Sequence, residues 1–395
     1  MKKYVMLTPA IGGMGGSQMF CNNKAQYLKA NGWEIVLIYF QKFDVLIEDL
    51  NEFSSYWVSE LGYGIQYLTS LQRKHIVTYV CGLIGAFEEC VIESHMVKLA
   101  MWGELIAADM NCIHILNPIE EELHPLTDAY ADFMEFKLRR HELLNASEGS
   151  LKRFFRNKYR EDFKDYIFEM IPYCSNVTSV NQEEKEFSKS DYTILSIGRL
   201  DKPYIMPMVE EICSFCKSIP DKIVNIIFIG ASTSGIVEKN ISSMFSSLNC
   251  NLYLEGYKFP VPYSFLENSD VAIACANSVL VSADNGLTTI VVDAYDYDAI
   301  GVYGYTTKRK LKRDDEERIK ISVLLKEILI EKKYEKSIAV VSEEKQGVDN
   351  IRLQIEFANI SMANQHQYYN VENIYSIKDY LYCNLKRIGH KILRR

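Results

Sequence analysis

The chain has 395 residues, too many for one ordinary hydrophobic core, so two domains are expected, each burying its own apolar surface. Hydrophobic residues make up 48% and charged residues 24%, the balance of a soluble globular protein rather than a disordered or fibrous one. The net charge of −8 offers no bulk attraction to nucleic acid, so any anion site has to be local.

In chain order, short β-rich runs alternate with helical patterns, which predicts a parallel sheet covered by helices. "YVMLT" (4–8) reads as a strand, "SQMFCNNKAQYLKANG" (17–32) as a helix with a glycine stop, and "EIVLIYF" (34–40) as a second strand. "CVIES" (90–94) with "HMVKLAMWGELIAADM" (95–110), then "CIHIL" (112–116) before the acidic 120–122, continue the alternation. Residues 128–170 turn helical, and the polar "NQEEKEFSKSD" (181–191) marks a domain boundary. Beyond it, "YTILSIG" (192–198), "IVNIIFIG" (223–230), "NLYLEG" (251–256), "DVAIACA" (270–276) and "TIVVD" (289–293) read as strands, and 315–336 as a closing helix. The expected organisation is an α/β chain of two doubly wound Rossmann-like domains, 1–185 and 190–345, followed by a helical segment 346–395 that returns to the first. Ligands are expected where the carboxyl ends of the strands face a cleft.

The apolar run at 75–87 is short of the ~20 residues that span a bilayer. The ten cysteines lack framework spacing. Lys2 and Lys3 open the chain without the apolar stretch of a secretory leader, so a reducing cytoplasm is expected. Cys213 and Cys216 have CxxC spacing but lie in an amphipathic helical pattern with no second pair, and are expected to be buried helix-face thiols.

"IGGMGGSQMF" (11–20) places four glycines between the first strand and first helix, where exposed N–H groups and the helix dipole favour an anion. Ser17 is a candidate helix cap. A dinucleotide fingerprint is weakened because Gln18 occupies the last glycine position, and a P-loop fails for want of a lysine at the helix start. Phosphate binding by Gly13, Gly15 and Gly16, or glycine selected only for tight strand–helix packing, remain.

"GGMGGSQMFCNNKAQYLKANGWEIVLI", "VIESHMVKLAMWGELIA", "IHILNPIEEE" and "LSIGRLDKPY" followed by "IIFIGAS" together resemble retaining GT-B glycosyltransferases, especially family 4, over most of residues 1–305. The resemblance implies a GT-B fold and a nucleotide-sugar donor gripped at its diphosphate by the glycine loop, Arg199 and a lysine. Tyr204 stands at the usual lysine spacing, so either the loop is shortened and Lys202 is the available cation, or Lys202 is a surface residue. It also implies donor contacts from Asn277, Ser278 and Leu280, a saccharide or lipid-linked saccharide acceptor, and metal independence with no cofactor. Aligning on Leu280 and Gly286 puts Ile273 and Val281 where the family carries paired glutamates, with Asp284 displaced from either position. Two outcomes follow: a divergent retaining hexosyltransferase of bacterial surface-polysaccharide assembly, or a catalytically silent binding subunit.

Glu93, Ser94 and His95 end a predicted strand and are acceptor-side candidates, as are Glu121 and Glu122 after the next strand. Basic runs at 151–160, 308–313 and 384–395 stand against the negative total. The first and last fit amphipathic segments on anionic lipid at the inner face of the cell membrane. No nucleic-acid motif accompanies them.

Overall fold

A computed structural model describes residues 1–13, 15–119, 128–144, 146, 148–167, 178–179, 186–258, 261–313, 316–334 and 367–374, with single positions 377, 380, 381 and 385. The chain divides into two compact units. One holds the described residues of Met1–Cys174 and Lys345–Arg395, the other those of Ser175–Glu344.

The first unit runs β1 (Lys2–Thr8), α1 (Gly16–Ala30), β2 (Trp33–Tyr39), β3 (Ser54–Trp57), α2 (Ser70–Ile84), β4 (Glu89–Ser94), α3 (Val97–Met110), β5 (Ile113–Leu116), α4 (Asp128–Arg139) and α5 (Glu148–Phe155). Its sheet has the order β3-β2-β1-β4-β5, and every pairing is parallel. Because successive side chains point to opposite faces, an unbroken apolar strand must be covered on both sides. Val5 and Leu7 pack with α2 and α3 residues such as Val80 and Trp102, whereas Tyr4 and Met6 pack with Cys21, Ala25 and Leu28 of α1. The apolar run 75–87 falls mainly in α2, which begins with a reciprocal capping box between Thr69 and Gln72 and stops at Gly85, whose φ is +69°. The segment 367–374 also belongs here. Val371 and Ile374 enter the core, Glu372 pairs with Arg73 at 2.6 Å, and the Tyr369 N–H donates to Glu104 at 2.8 Å.

The second unit runs β6 (Thr178–Ser179), β7 (Tyr192–Ile197), α6 (Ile205–Ser218), β8 (Val224–Ile229), α7 (Ile236–Phe245), β9 (Cys250–Leu254), β10 (Val261–Pro262), α8 (Tyr263–Glu267), β11 (Val271–Ala274), α9 (Asn277–Ala283), β12 (Thr289–Val292), β13 (Ala299–Val302) and α10 (Ile321–Leu329). The main sheet has the order β13-β12-β11-β7-β8-β9. It is parallel except for the antiparallel β12–β13 pair, and β6 pairs with β10 apart from it. One face packs on α6 and α10, the other on Phe265 and Leu266 of α8. Cys213 and Cys216 are buried on α6.

Three expectations are corrected. β3 and β13 add strands that the apolar runs did not announce. Among the described residues of 315–336, the expected helix is confined to α10, because Ile319 bridges back to Ala299 and Lys320 pairs with Asp298 at 2.9 Å. Ser17 does not cap α1: the N-cap is Gly15, and Ser17 lies inside the helix with its hydroxyl donating to Gln18. Among the described residues, no helix is long and apolar enough to cross a membrane.

Candidate functional site

In the second unit, β7 and β8 are each followed by a glycine. Gly198 has φ +151° and Gly230 φ +143°. A Cβ on Gly230 would lie 1.9 Å from the Gly198 carbonyl oxygen, so only glycine admits this approach. The Gly198 N–H donates to Ile229 at 2.9 Å, and the Leu200 N–H to Ala231 at 3.1 Å. This crossing holds the turn that carries Arg199. The Arg199 side chain is 44% exposed and its Nε lies 3.3 Å from an Asp201 oxygen. Thr233 donates to the same carboxylate at 3.2 Å, and the Tyr257 hydroxyl donates to the Ala231 carbonyl at 3.1 Å. Burial, with Asp201 nearby, pushes the Tyr257 hydroxyl above the usual phenol range. Burial raises the Glu238 carboxyl, but Ser232 hydroxyl and backbone donors outweigh it and hold it below the carboxylate norm. Lys202 lies half-buried in the same turn, ahead of the buried Tyr204 that caps α6.

Past β11, Ala276 has φ +59° and ψ −129°, a sparsely populated conformation for a residue with a Cβ, of the kind that concentrates at functional turns. Its N–H donates to Lys310 at 2.6 Å. Asn277 and Ser278 follow half-buried, with the Ser278 hydroxyl donating to the Cys275 carbonyl at 2.8 Å. Leu280, expected to touch donor, instead packs its side chain among Ala274, Val279 and Val291. The reason is helical periodicity, which turns it onto the sheet. Ile273 is likewise core, Val281 packs against the opposite cluster, and Asp284 is the C-cap of α9.

In the first unit, Gly12 and Gly13 are explained by packing. A Cβ on Gly12 would meet the Phe43 carbonyl oxygen at 2.2 Å. Gly13, at φ +81°, donates its N–H to Asp44 at 2.8 Å. That hydrogen bond withdraws Gly13 from the expected set of free phosphate donors, leaving Gly15 and Gly16 at the start of α1.

Glu93, Ser94 and His95 are brought together, but each is fully buried. Glu93 accepts from Lys24 of α1, the Tyr4 hydroxyl, His95 Nε2 at 3.0 Å and Asn117 at 3.0 Å. His95 Nδ1 lies 3.5 Å from Cys21 Sγ, and the Lys24 ammonium stands over the rings of Tyr4 and Phe20 at 5.2 and 5.5 Å. Ser94 joins a second buried set, its hydroxyl 3.0 Å from His114 Nε2. His114 bonds Glu104 at 2.8 Å, and Glu104 pairs with Lys137, which also holds Glu142 at 2.7 Å. Thus the acceptor-side residues, as placed, are the centre of an internal ion-pair network rather than an exposed surface. The sequence passed over Lys24, Tyr4, Cys21 and Asn117. The available signal was a lysine spaced with Phe20, Cys21 and Leu28 on the buried face of α1. Glu121 and Glu122 lie outside the described residues.

These ionisations set a pH dependence. Burial opposes the charge on Glu93 and Glu104, but Lys24 and His95, or Lys137 and His114, overcome it and hold both carboxyls below the usual range, Glu104 at about 2. Their stabilisation is present above the ordinary carboxylate pKa and lost as pH falls. Burial lowers His95, yet Cys21 and Glu93 raise it to about 9. Its contribution is therefore complete below its ordinary value of 6.5 and lost as pH rises through about 9. Denaturant midpoints of the first unit should fall on both sides of neutrality, and His95→Gln should flatten the alkaline limb; an unchanged alkaline limb would contradict the charged imidazole.

The basic run 151–160 has its apolar half, Leu151, Phe154 and Phe155, in the core. Lys152 pairs with Glu148 at 2.6 Å, and Arg160 with Glu135. This segment therefore offers no free apolar face to lipid. In the 308–313 run, Arg313 is bound to Asp296 and the Ala299 carbonyl. Of residues 384–395 only Leu385 is described.

Two α/β units with Rossmann-like parallel sheets define the fold as GT-B. No family model matches the chain, and no curated protein matches it. Among solved structures, Anabaena HepE in complex with UDP is similar over 91% of this chain and 100% of its own, with TM-score 0.58 and 13% identity. The lipopolysaccharide outer core galactosyltransferase WaaB is similar over 92% and 99%, with TM-score 0.54 and 12% identity. A S. aureus TarM variant bound to fondaparinux, α-GlcNAc-glycerol and UDP is similar over 96% and 99%, with TM-score 0.52 and 11% identity.

Proposed function

We propose that the chain is a retaining glycosyltransferase that moves a hexose from a nucleotide-sugar donor to a saccharide or lipid-linked saccharide, in bacterial surface-polysaccharide assembly at the cytoplasmic face of the membrane. The observation that carries this is Arg199, half-exposed on a turn fixed by the Gly198–Gly230 crossing, in a fold similar to structures solved with UDP. The bond from the anomeric carbon to the donor diphosphate breaks, and the acceptor oxygen bonds that carbon on the same face. The acceptor's proton passes to the departing phosphate oxygen, so no protein base is required. Arg199 and Lys202 supply the stabilisation of the leaving diphosphate, from donors that need little reorganisation. Metal independence belongs to the same proposal, and a chelator is expected to leave nucleotide binding unchanged.

Calorimetric titration with UDP, GDP and their glucose conjugates tests it. Saturable binding is expected for one nucleotide series, weakened about tenfold or more in Arg199→Ala, since a charge-assisted hydrogen bond contributes about 1.5–3 kcal/mol. Absence of binding throughout would favour the second function, a silent binding subunit. What supports that alternative is the apolar pair Ile273 and Val281 at the positions of the family's glutamates, both packed against hydrophobic clusters.

A further inference from the structure

Within the first unit, Lys98 occupies the first turn of α3, where the helix dipole disfavours a cation. It is half-buried, and burial pushes its ammonium below the usual lysine range. Among the described residues it has no ion pair; its contact is the Phe40 ring, with Nζ 5.7 Å from the centroid. A half-buried ammonium without a carboxylate is costly to keep in the folded state, and nothing in the fold requires a lysine there.

Phe40 is the centre of a small cluster at the carboxyl ends of β1, β2 and β3. Its N–H donates to the Pro9 carbonyl at 3.3 Å, and its own carbonyl accepts from Trp57 Nε1 at 3.1 Å. A Cβ on Gly62 would stand 2.9 Å from the Phe40 ring, so the ring is closely held. Trp57, the last residue of the edge strand β3, is 50% exposed. A second ammonium, Lys42, lies 5.6 Å from the Trp57 ring centroid, exposed and also without an ion pair among the described residues. The indole is thus fixed by its own N–H with much of its surface open, and two uncompensated cations stand beside the aromatic pair.

That combination suits one ligand chemistry. The C–H face of a sugar ring stacks on an indole, and a phosphate on the same molecule neutralises ammonium groups that hydrogen-bond it as point charges. We propose that Lys42 and Lys98, joined by Phe40 and Trp57, form a binding site for a phosphate-bearing saccharide. Resting on the glycosyltransferase function above, this saccharide is the acceptor. A neutral glycan leaves both cations uncompensated, so the site discriminates by charge.

Trp57 is the reporter, because Trp33 and Trp102 are buried. Full-length protein is titrated at low ionic strength with glucose 1-phosphate, methyl glucoside and inorganic phosphate, following tryptophan emission and repeating by calorimetry. Glucose 1-phosphate is expected to bind saturably and about tenfold or more tighter than methyl glucoside or inorganic phosphate. Lys98→Gln and Lys42→Gln should each weaken it about fivefold or more, of the order of one charge-assisted contact. Trp57→Phe should remove the emission change and weaken the calorimetric affinity. Lys98→Gln is also expected to melt at or above the wild-type temperature, since it removes a cation from a helix start. Equal affinity for neutral and phosphorylated sugars, an unaffected Lys98→Gln, or a melting point several degrees lower would overturn the site. Phosphatidylglycerol vesicles bound through Lys42 and Lys98 without glucose 1-phosphate binding would assign the cluster to a lipid surface and overturn the saccharide. UDP and GDP titration of the same samples separates the two proposals. Nucleotide binding without sugar-phosphate binding sinks this site alone; sugar-phosphate binding with neither UDP nor GDP bound sinks the donor function and leaves the site standing.

Discussion

Lys24→Met is expected to destabilise the first unit by about 3 kcal/mol or more, the loss typical when one partner of a buried ion pair is removed. Lys24 and Glu93 are both fully buried, so neither charge has water to fall back on. Methionine has nearly the volume of lysine and leaves little cavity, so the loss reports the charge. Among the described residues, Glu93 would retain His95 as its cation, with Tyr4 and Asn117 as neutral donors. Glu93→Gln is expected to be severe for the complementary reason, removing the carboxylate with which the buried ammonium forms its ion pair. The double variant Lys24→Met with Glu93→Gln should recover part of the summed loss, because neither charge is then stranded. Urea unfolding followed by circular dichroism gives the energies, and hydrogen exchange in β1 and β4 assigns them to this unit, which is needed because a chain of two units does not unfold in one step. Strict additivity in the cycle would show that the two residues do not act as a pair.

Gly230→Ala should have an effect of similar size in the second unit. The new methyl would stand 1.9 Å from the Gly198 carbonyl oxygen and 2.7 Å from its carbon. Both belong to backbone, so no side chain can swing aside. The residue would also have to hold φ +143°, a region that L-residues with a Cβ rarely enter. Overpacking and backbone strain each cost about 1–3 kcal/mol, and a sum of about 3 kcal/mol or more is expected in the unfolding of β7 and β8. The strands must separate at their carboxyl ends to relieve the contact, which moves the turn bearing Arg199. Nucleotide affinity should therefore fall along with stability. Gly235→Ala is the control: Gly235 has a positive φ of 67°, but no atom lies within 4 Å of where the new methyl would stand, so the substitution brings strain without collision. Wild-type stability in Gly230→Ala would refute the crossing.

The strands of both sheets were legible because their cause is local. β1 is apolar on both faces, with Tyr4 and Met6 on one and Val5 and Leu7 on the other, and such a run has few alternatives to a doubly covered strand. The edge strand β3 was missed because "SSYW" is largely exposed and owes its conformation to pairing with β2. The helix expected at 315–336 looked continuous in charge and periodicity, yet its start is recruited by β13 through Ile319, a tertiary competitor invisible in a local window. At the candidate site, position in the chain identified Arg199 and the Glu93–His95 stretch as strand ends. It did not show which way each side chain points.

By itself, then, the sequence determined two successive α/β halves, the glycine turns between strand and helix, and the absence of glutamates at positions 273 and 281. Each depends on residue type and spacing within a few turns of chain. Only the tertiary structure decided that Glu93 and His95 face inward and that Lys24 neutralises a carboxylate 69 residues away. It also decided that Lys98 lies against Phe40 without a carboxylate partner among the described residues. Charge burial and pairing are properties of which strands become neighbours, and that choice is made by long-range packing rather than by any local pattern.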